Sequence, residues 1–244
     1  WRAIEVTSEM GYTQPVIVEA GGVRQLIIWH PMALSSLNPE TGEVYWEQPW
    51  EVAGSLSVAT PVKSGDYLLV SQFFAGSLMM RLSRDRPAAT ELWRGKSRSE
   101  LPDQTEGLHA LVTTPAIMGD YVYGVGSYGE LRGLDARTGQ RLWESPDLTF
   151  QGRWGSAVLV RHRDRYFVSN EEGFLILAQF TPDGYVELDR TRLIEPTSDS
   201  GTRTPHGRIA GRMANWSHPA YANGHIVHRN DKEIIRASLT ASDY

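Results

Sequence analysis

The residues with the strongest chemical character lie late in the chain. Between Arg203 and Asn230 the sequence carries Arg203, Arg208, Arg212 and Arg229 with His206, His218, His225 and His228, and no Asp or Glu. In a chain of 244 residues with a formal net charge of -5, that segment stands apart. Converging guanidinium groups can hold a carboxylate or phosphate through paired, charge-assisted hydrogen bonds. Arg203, His206, Arg208 and Arg212, with His109 from an earlier loop, are therefore candidate ligand-binding residues for a small anion or sugar acid. The same arginines have a structural reading, in which they pair with Asp or Glu on neighbouring elements and pin a long loop in place. Metal is not expected. His225 and His228 are three apart on an expected strand and point to opposite faces, while His206 and His218 share no helical register.

Other chemistries are excluded by what is missing. The chain has no cysteine, which removes disulfides, thiol nucleophiles and thiolate metal sites together. There is no Gly-x-Ser-x-Gly elbow, no HExxH helix and no phosphate-binding loop, so no catalytic residue is assigned. "GVGSYG" lacks a following helix and reads as a hairpin. An acidic net charge disfavours nucleic acid as a partner. No apolar run approaches the roughly twenty residues of a membrane span. The first residue is Trp1, without a methionine or a signal-peptide pattern, and the expectation is that the true start was removed or not included.

The elements that would position these residues are strands. Eight tryptophans and ten tyrosines among many glycines and prolines suit short strands joined by tight turns. The stretch "LNPETGEVYW" reappears as "LDARTGQRLW", each with Asn38 or Asp135, a Thr-Gly pair at Gly42 or Gly139, and a tryptophan, Trp46 or Trp143, four residues on. "RLSRDRPAATELWRG" keeps the tryptophan as Trp93 but lengthens the turn, and "LAQFTPDGYVELDR" keeps Gly184 and places Leu188 where the tryptophan is expected.

The flanking sequence repeats in the same order. Proline-led apolar strands such as "ATPVKSGD", "TPAIMGD" and "HPAYANG" run into two-residue hairpin turns, then into aromatic runs such as "YLLVSQFF" and "YVYGVGS". The period is about 45 to 50 residues, each holding four short antiparallel strands. Five such units are expected at residues 7–50, 51–97, 108–147, 153–192 and 214–244, the last lacking one strand. "WRAIEV", residues 1–6, has the composition of that missing outer strand. This arithmetic gives an all-β fold, a β-propeller of four-stranded antiparallel blades. Asn38, Gly42, Trp46, Trp93, Asp135, Gly139 and Trp143 are then blade-docking residues: the indole is buried between blades, the glycine makes the turn, and the Asn or Asp side chain accepts from backbone N–H groups.

At the pair "LNPETGEVYW" and "LDARTGQRLW" the chain resembles the pyrroloquinoline quinone (PQQ) type repeat with its tryptophan-docking motif. The resemblance covers the chain as repeats, with two close copies of the motif. It implies a propeller of about seven or eight blades, of which five are visible here, with a closed five-bladed ring as the rival. Two functional groups share that repeat. The BamB-like branch implies a non-catalytic scaffold in the cell envelope, periplasmic or otherwise extracytoplasmic, with a protein partner and no cofactor. The quinoprotein dehydrogenase branch implies PQQ and calcium, a vicinal cysteine pair, and an Asp base beside calcium held by Glu and Asn. Asp103, Glu106, Asp199 and Asn215 are available, none in a spacing that specifies a calcium cage. Two loops are the expected places for a site: residues 94–111 and the basic residues 198–218.

Overall fold

The run YLLVSQ, Tyr67–Gln72, has no polar side, and from Leu68 onward every residue of it is buried. A strand apolar on both faces must be covered on both, and the architecture does this by stacking sheets face to face. The computed structural model describes residues 1–201, 203–204, 207–208 and 211–240, and of residues 203, 204 and 208 the backbone only. Blade 1 comprises β1 (Val16–Ala20), β2 (Val23–His30), β3 (Ala33–Leu37) and β4 (Val44–Pro49). Blade 2 comprises β5 (Val62–Ser64), β6 (Tyr67–Gln72), β7 (Gly76–Leu82) and β8 (Ala89–Arg94). Blade 3 has β9 (Ala116–Met118), β10 (Tyr121–Val125), β11 (Leu131–Asp135) and β12 (Arg141–Ser145), and blade 4 has β13 (Ala157–His162), β14 (Arg165–Asn170), β15 (Phe174–Thr181) and β16 (Gly184–Arg192). Each is an antiparallel meander in sequence order.

Two short ribbons follow, formed by β17 (Ser198–Asp199) with β20 (Met213–Ala214) and by β18 (Arg203–Thr204) with β19 (Gly207–Arg208). Blade 5 has three strands, β21 (Ala220–Ala222), β22 (His225–Arg229) and β23 (Ile234–Ser238). The blade strands span residues 16–49, 62–94, 116–145, 157–192 and 220–238, and the two ribbons lie between the last two. Residues 1–6 do not supply the fourth strand of blade 5: they carry no strand, and the Trp1 ring lies against Gly42 in blade 1.

Alternation along each strand sends successive side chains to opposite neighbours. Leu68, Val70, Leu78 and Met80 of blade 2 pack with Ile27, Trp29 and Leu34 of blade 1, whereas Leu69 and Met79 pack with Ile117, Val122 and Leu134 of blade 3. Tyr123, Val125 and Leu131 of blade 3 meet Tyr166, Val168, Ile176 and Phe180 of blade 4. Phe167, on the other face of blade 4, stacks on Tyr221 of blade 5 at 5.7 Å between ring centroids. Strand β5 packs beside β9 and β12 beside β16, so neighbouring blades run in the same sense.

Tryptophans of the fourth strands sit at these interfaces. Trp93 of blade 2 lies over Gly139 of blade 3 and donates its indole N–H to the carbonyl of Ala136 at 2.8 Å. Trp143 of blade 3 donates to the carbonyl of Thr181 in blade 4, the corresponding turn residue, at 2.9 Å. The turn is preset to receive the ring. Asp135 accepts from the N–H groups of Arg137 and Thr138, and Gly139 takes φ +74°, where the approaching indole leaves no room for a Cβ. Asn38 and Gly42 repeat this arrangement in blade 1, under Trp1. Trp46 differs: it packs into the core between blades 1 and 2, but its N–H donates to Gln25 Oε1 within its own blade at 3.0 Å.

A β-bulge accompanies every fourth strand. Ser36 faces Trp46 and Leu37 faces Val44, skipping Tyr45, and the same slip skips Leu92, Leu142 and Leu188. This corrects the expectation for blade 4. Leu188 is the bulged residue, and Asp189 holds the position opposite Leu177 that tryptophan holds in blades 1 to 3. Counting forward from Gly184 misplaces it because the blade 4 hairpin closes directly at Thr181 and Gly184 with longer strands.

Burying an indole removes about 150–250 Å² from water, an upper bound of about 4–6 kcal/mol at 25 cal/mol per Å². Replacing Trp93 by Ala is expected to cost about 3 kcal/mol of unfolding free energy, read as a lower urea midpoint. A shift within error of the parent would deny the ring that role.

Candidate functional site

Because the meanders are antiparallel, turns alternate between two ends of each blade. The first and third turns lie at one end. The second turns gather at the other, together with the blade-to-blade connections, residues 50–61, 95–115, 146–156 and 193–219. Irregular, side-chain-rich backbone is therefore concentrated at this connection end, where two arginines are mounted on aromatic rings.

Arg153 is the first. Its guanidinium carbon lies 4.5 Å from the centre of the Trp154 ring and 5.2 Å from that of Phe73, and the two rings stack at 5.0 Å. Phe74 meets Phe73 edge-on at 4.7 Å. Arg153 Nη2 donates to Glu100 Oε2 at 2.7 Å, and the Tyr128 hydroxyl donates to Glu100 Oε1 at 2.9 Å. The Arg153 and Glu100 side chains stay about a quarter exposed, at 28% and 25%. Trp154 has φ +71°, a left-handed conformation that costs a bulky residue of order 1–3 kcal/mol. Hydrogen bonds from Trp154 N–H to Ser127 O at 2.7 Å and from Gly152 N–H to Tyr128 O at 2.8 Å hold it there.

Arg212 is the second. It pairs with Glu171, both side chains being buried, and its guanidinium carbon stands 4.3 Å from the centre of the Phe150 ring. Trp216 donates its indole N–H to Glu171 Oε2 at 2.8 Å, and the backbone N–H of Asn215 donates to Glu171 O at 2.7 Å. Burial lowers the Arg212 pKa to about 10, which leaves it a cation at neutral pH. Phe150 and Trp154 share the connection 146–156, so one segment contributes a ring to each centre.

The fully buried Arg132 clamps the connection 95–115. It donates to Glu144 at 2.7 Å, to Thr105 Oγ1 at 2.8 Å and to the carbonyls of Gly107 and Pro102 at 2.5 and 3.0 Å. Glu130 beside it accepts from Tyr128 N–H, and burial pushes its carboxyl above the usual carboxylate range.

The candidates read from the sequence separate. Arg212 is committed to Glu171 and corrects the expectation of a free anion ligand, in favour of an arginine that pins its loop to blade 4. His109 is likewise a packed group: it is 2% exposed, its Nδ1 bonds the carbonyl of Phe73 at 2.9 Å, and its Nε2 abuts Gly76. Burial, with Arg132 adding to it, lowers its pKa to about 4, so the imidazole is neutral. Arg203 and Arg208 are described in backbone alone, as partners across the β18–β19 ribbon. His206 lies outside the described residues. Asn38, Gly42, Trp46, Trp93, Asp135, Gly139 and Trp143 occupy the blade interfaces and turns given above. Phe73, Glu100, Phe150, Arg153, Trp154 and Glu171 were not singled out. "GRWG" was the available signal, an Arg-Trp pair between glycines without a counterpart in the other units.

The described residues do not fit PQQ with calcium. The chain contains no cysteine pair to stack on a quinone. Asp103 sits in the 3-10 turn Pro102–Gln104, Asp199 lies on an exposed ribbon, and the Asn215 amide is spent on Arg229 O and Ser217 N–H. Among the described residues no group of three or more His, Asp or Glu side chains is placed to hold a metal ion.

The sequence family described as outer membrane protein assembly factor BamB matches residues 1–193. No curated protein sequence matches the chain. BamB from Moraxella catarrhalis shares the fold at 14% identity and a TM-score of 0.60, over 96% of this chain and 59% of that one. The computationally designed Ika8 protein does so at 10% identity and 0.54, over 97% and 73%. Quinohemoprotein alcohol dehydrogenase from Comamonas testosteroni does so at 13% identity and 0.50, over 83% and 42%. These likenesses establish the propeller fold, and the chain spans 59% of the length of the BamB structure it matches.

Two outcomes are expected. Replacing Arg212 by Leu leaves Glu171 buried without its cation and lowers stability by about 3 kcal/mol, measured by denaturant unfolding. For His109, the unfolded chain takes up a proton near the ordinary 6.5 and the folded chain only near 4, so its stabilising contribution is present above 6.5 and is lost as pH falls through that window. The full loss is of order 3 kcal/mol. Glu130 works in the opposite sense, so the parent is compared with His109→Gln, whose unfolding free energy should fall less steeply between those pH values.

Proposed function

Since the chain belongs to the family of the outer membrane protein assembly factor BamB, we propose that it is a non-catalytic protein-interaction scaffold of the cell envelope, working on the periplasmic side. The observation that carries this reading is the Arg153 platform. A guanidinium stacked on Phe73 and Trp154, flanked by Phe74 and half-shielded by Glu100, is the composition of an interface hot spot, where aromatic rings and arginine supply most of the binding energy. Its parts are preorganised. The strained Trp154 backbone is held by hydrogen bonds to the next turn, so little conformational entropy remains to be lost on docking.

No helix among the described residues is long and apolar enough to cross a membrane.

A photo-crosslinking phenylalanine analogue at Phe74 tests this. In envelope fractions it should give a discrete adduct with an outer-membrane assembly protein, identified by mass spectrometry, and Arg153→Glu should abolish it while leaving the near-UV circular dichroism intact. A crosslink that persists in Arg153→Glu, or none at all, would contradict the reading.

A further inference from the structure

The opposite end of the blades carries a different surface, centred on the turn that breaks the repeat. In blade 2 the residues between β7 and β8 replace the Thr-Gly turn with an arginine-rich loop, Ser83 to Ala88. Its shape is fixed internally: Ser83 N–H donates to Ala88 O at 2.9 Å, Ala88 N–H donates to Arg86 O at 2.8 Å, and the Ser83 hydroxyl donates to Asp85. Arg84 Nε donates to Asp66 Oδ2 at 2.6 Å, tying the loop to the turn between β5 and β6.

Two hollows flank this loop. One of about 820 Å³ lies toward the Gly119–Asp120 turn of blade 3, and one of about 540 Å³ toward the Gly21–Gly22 turn of blade 1. Gly65, Asp66, Ser83 and Arg84 line both, so the two hollows adjoin at the Asp66–Arg84 pair and together make a groove that touches three blades. Arg81 and Arg86 line the larger hollow and Lys63 the smaller, and none of the three forms an ion pair among the described residues. Of the acids that line the hollows, Glu19 in the smaller one forms no ion pair among the described residues, and the other two are engaged. Asp66 is neutralised by Arg84, whose hydrogen bond holds it below the usual carboxylate range, and Asp120 accepts from the Tyr67 hydroxyl at 3.2 Å. Tyr67 also presents its ring beneath Arg81, whose guanidinium carbon is 5.9 Å from the centroid.

We propose that this groove binds an acidic polypeptide segment. A compact anion is held best where several donors converge on one point. Here the free cations are distributed between the two hollows, on either side of the Asp66–Arg84 pair, an arrangement suited to carboxylates spaced along an extended chain. The Tyr67 ring accommodates apolar stem atoms between them, and the exposure of the cations makes the contact sensitive to salt. The surface is separate from the Arg153 platform and stands or falls without it.

Fluorescence anisotropy with a labelled peptide of alternating glutamate and serine tests the assignment, with the lysine-serine peptide and inorganic phosphate as comparisons. The glutamate peptide should bind in low salt, and the double substitution Arg81→Glu with Arg86→Glu should weaken it about tenfold or more. Arg192→Glu, an exposed arginine on blade 4, should leave it unchanged, and all variants should melt as the parent does. Equal binding by the double variant or by the lysine peptide would overturn the proposal. Displacement by phosphate at the concentration of competing unlabelled peptide would place a free anion in the groove and overturn it as well.

Discussion

The contact on which the rest depends is an indole crossing from one blade to the next and giving its N–H to a turn carbonyl. Trp93 reaches Ala136, and Trp143 reaches Thr181. Apolar packing between sheets is non-directional and would tolerate sliding. A hydrogen bond to one particular carbonyl, made by a ring lying on a glycine that permits no side chain, fixes the register of one sheet on its neighbour. That constraint acts at the far end of the strands from the connections, and the connections inherit its precision. Residues as distant in sequence as Phe73, Glu100 and Trp154 meet because the blades carrying them cannot shift.

The two ends of the blades consequently do different work. At the connection end, backbone with no repeat to obey is free to assemble buried ion pairs and stacked arginines, and Arg132 and Arg212 each spend a full cation on holding a loop. Such pairs contribute little net stability, since desolvation cancels much of their attraction, but leaving either partner alone is costly. They therefore specify one loop arrangement over others. At the turn end blade 4 closes its hairpin tightly at Thr181 and Gly184, whereas in blade 2 the lengthened Ser83–Ala88 connection takes no indole, Trp46 turns back to Gln25, and a row of cations remains available.

What the sequence discloses follows from this division. The blades were legible because "LNPETGEVYW" and "LDARTGQRLW" repeat both the chemistry and the spacing, and because alternation leaves runs such as YLLVSQ apolar on both faces. Leu188 was misplaced because the blade 4 hairpin closes directly at Thr181 and Gly184, which moves the bulge common to all four blades one residue further from the turn glycine. His109 and Arg212 look like exposed polar residues in loops; only the fold brings Phe73 O to one and Glu171 to the other. The Arg153 platform was hidden for the same reason. Its members come from three segments, and the left-handed backbone of Trp154 is set by the carbonyls of another turn rather than by its own side chain.

Hydrogen exchange at the indole nitrogens, followed by NMR, probes the inter-blade contact directly. If those bonds lock the blades, the Trp93 and Trp143 N–H protons exchange only through global unfolding, with rates that follow the unfolding free energy, while the 64% exposed Trp1 exchanges freely. Exchange of Trp93 and Trp143 as fast as that of Trp1, in a protein whose core amides stay protected, would contradict the interaction from which the fold and its surfaces have been derived.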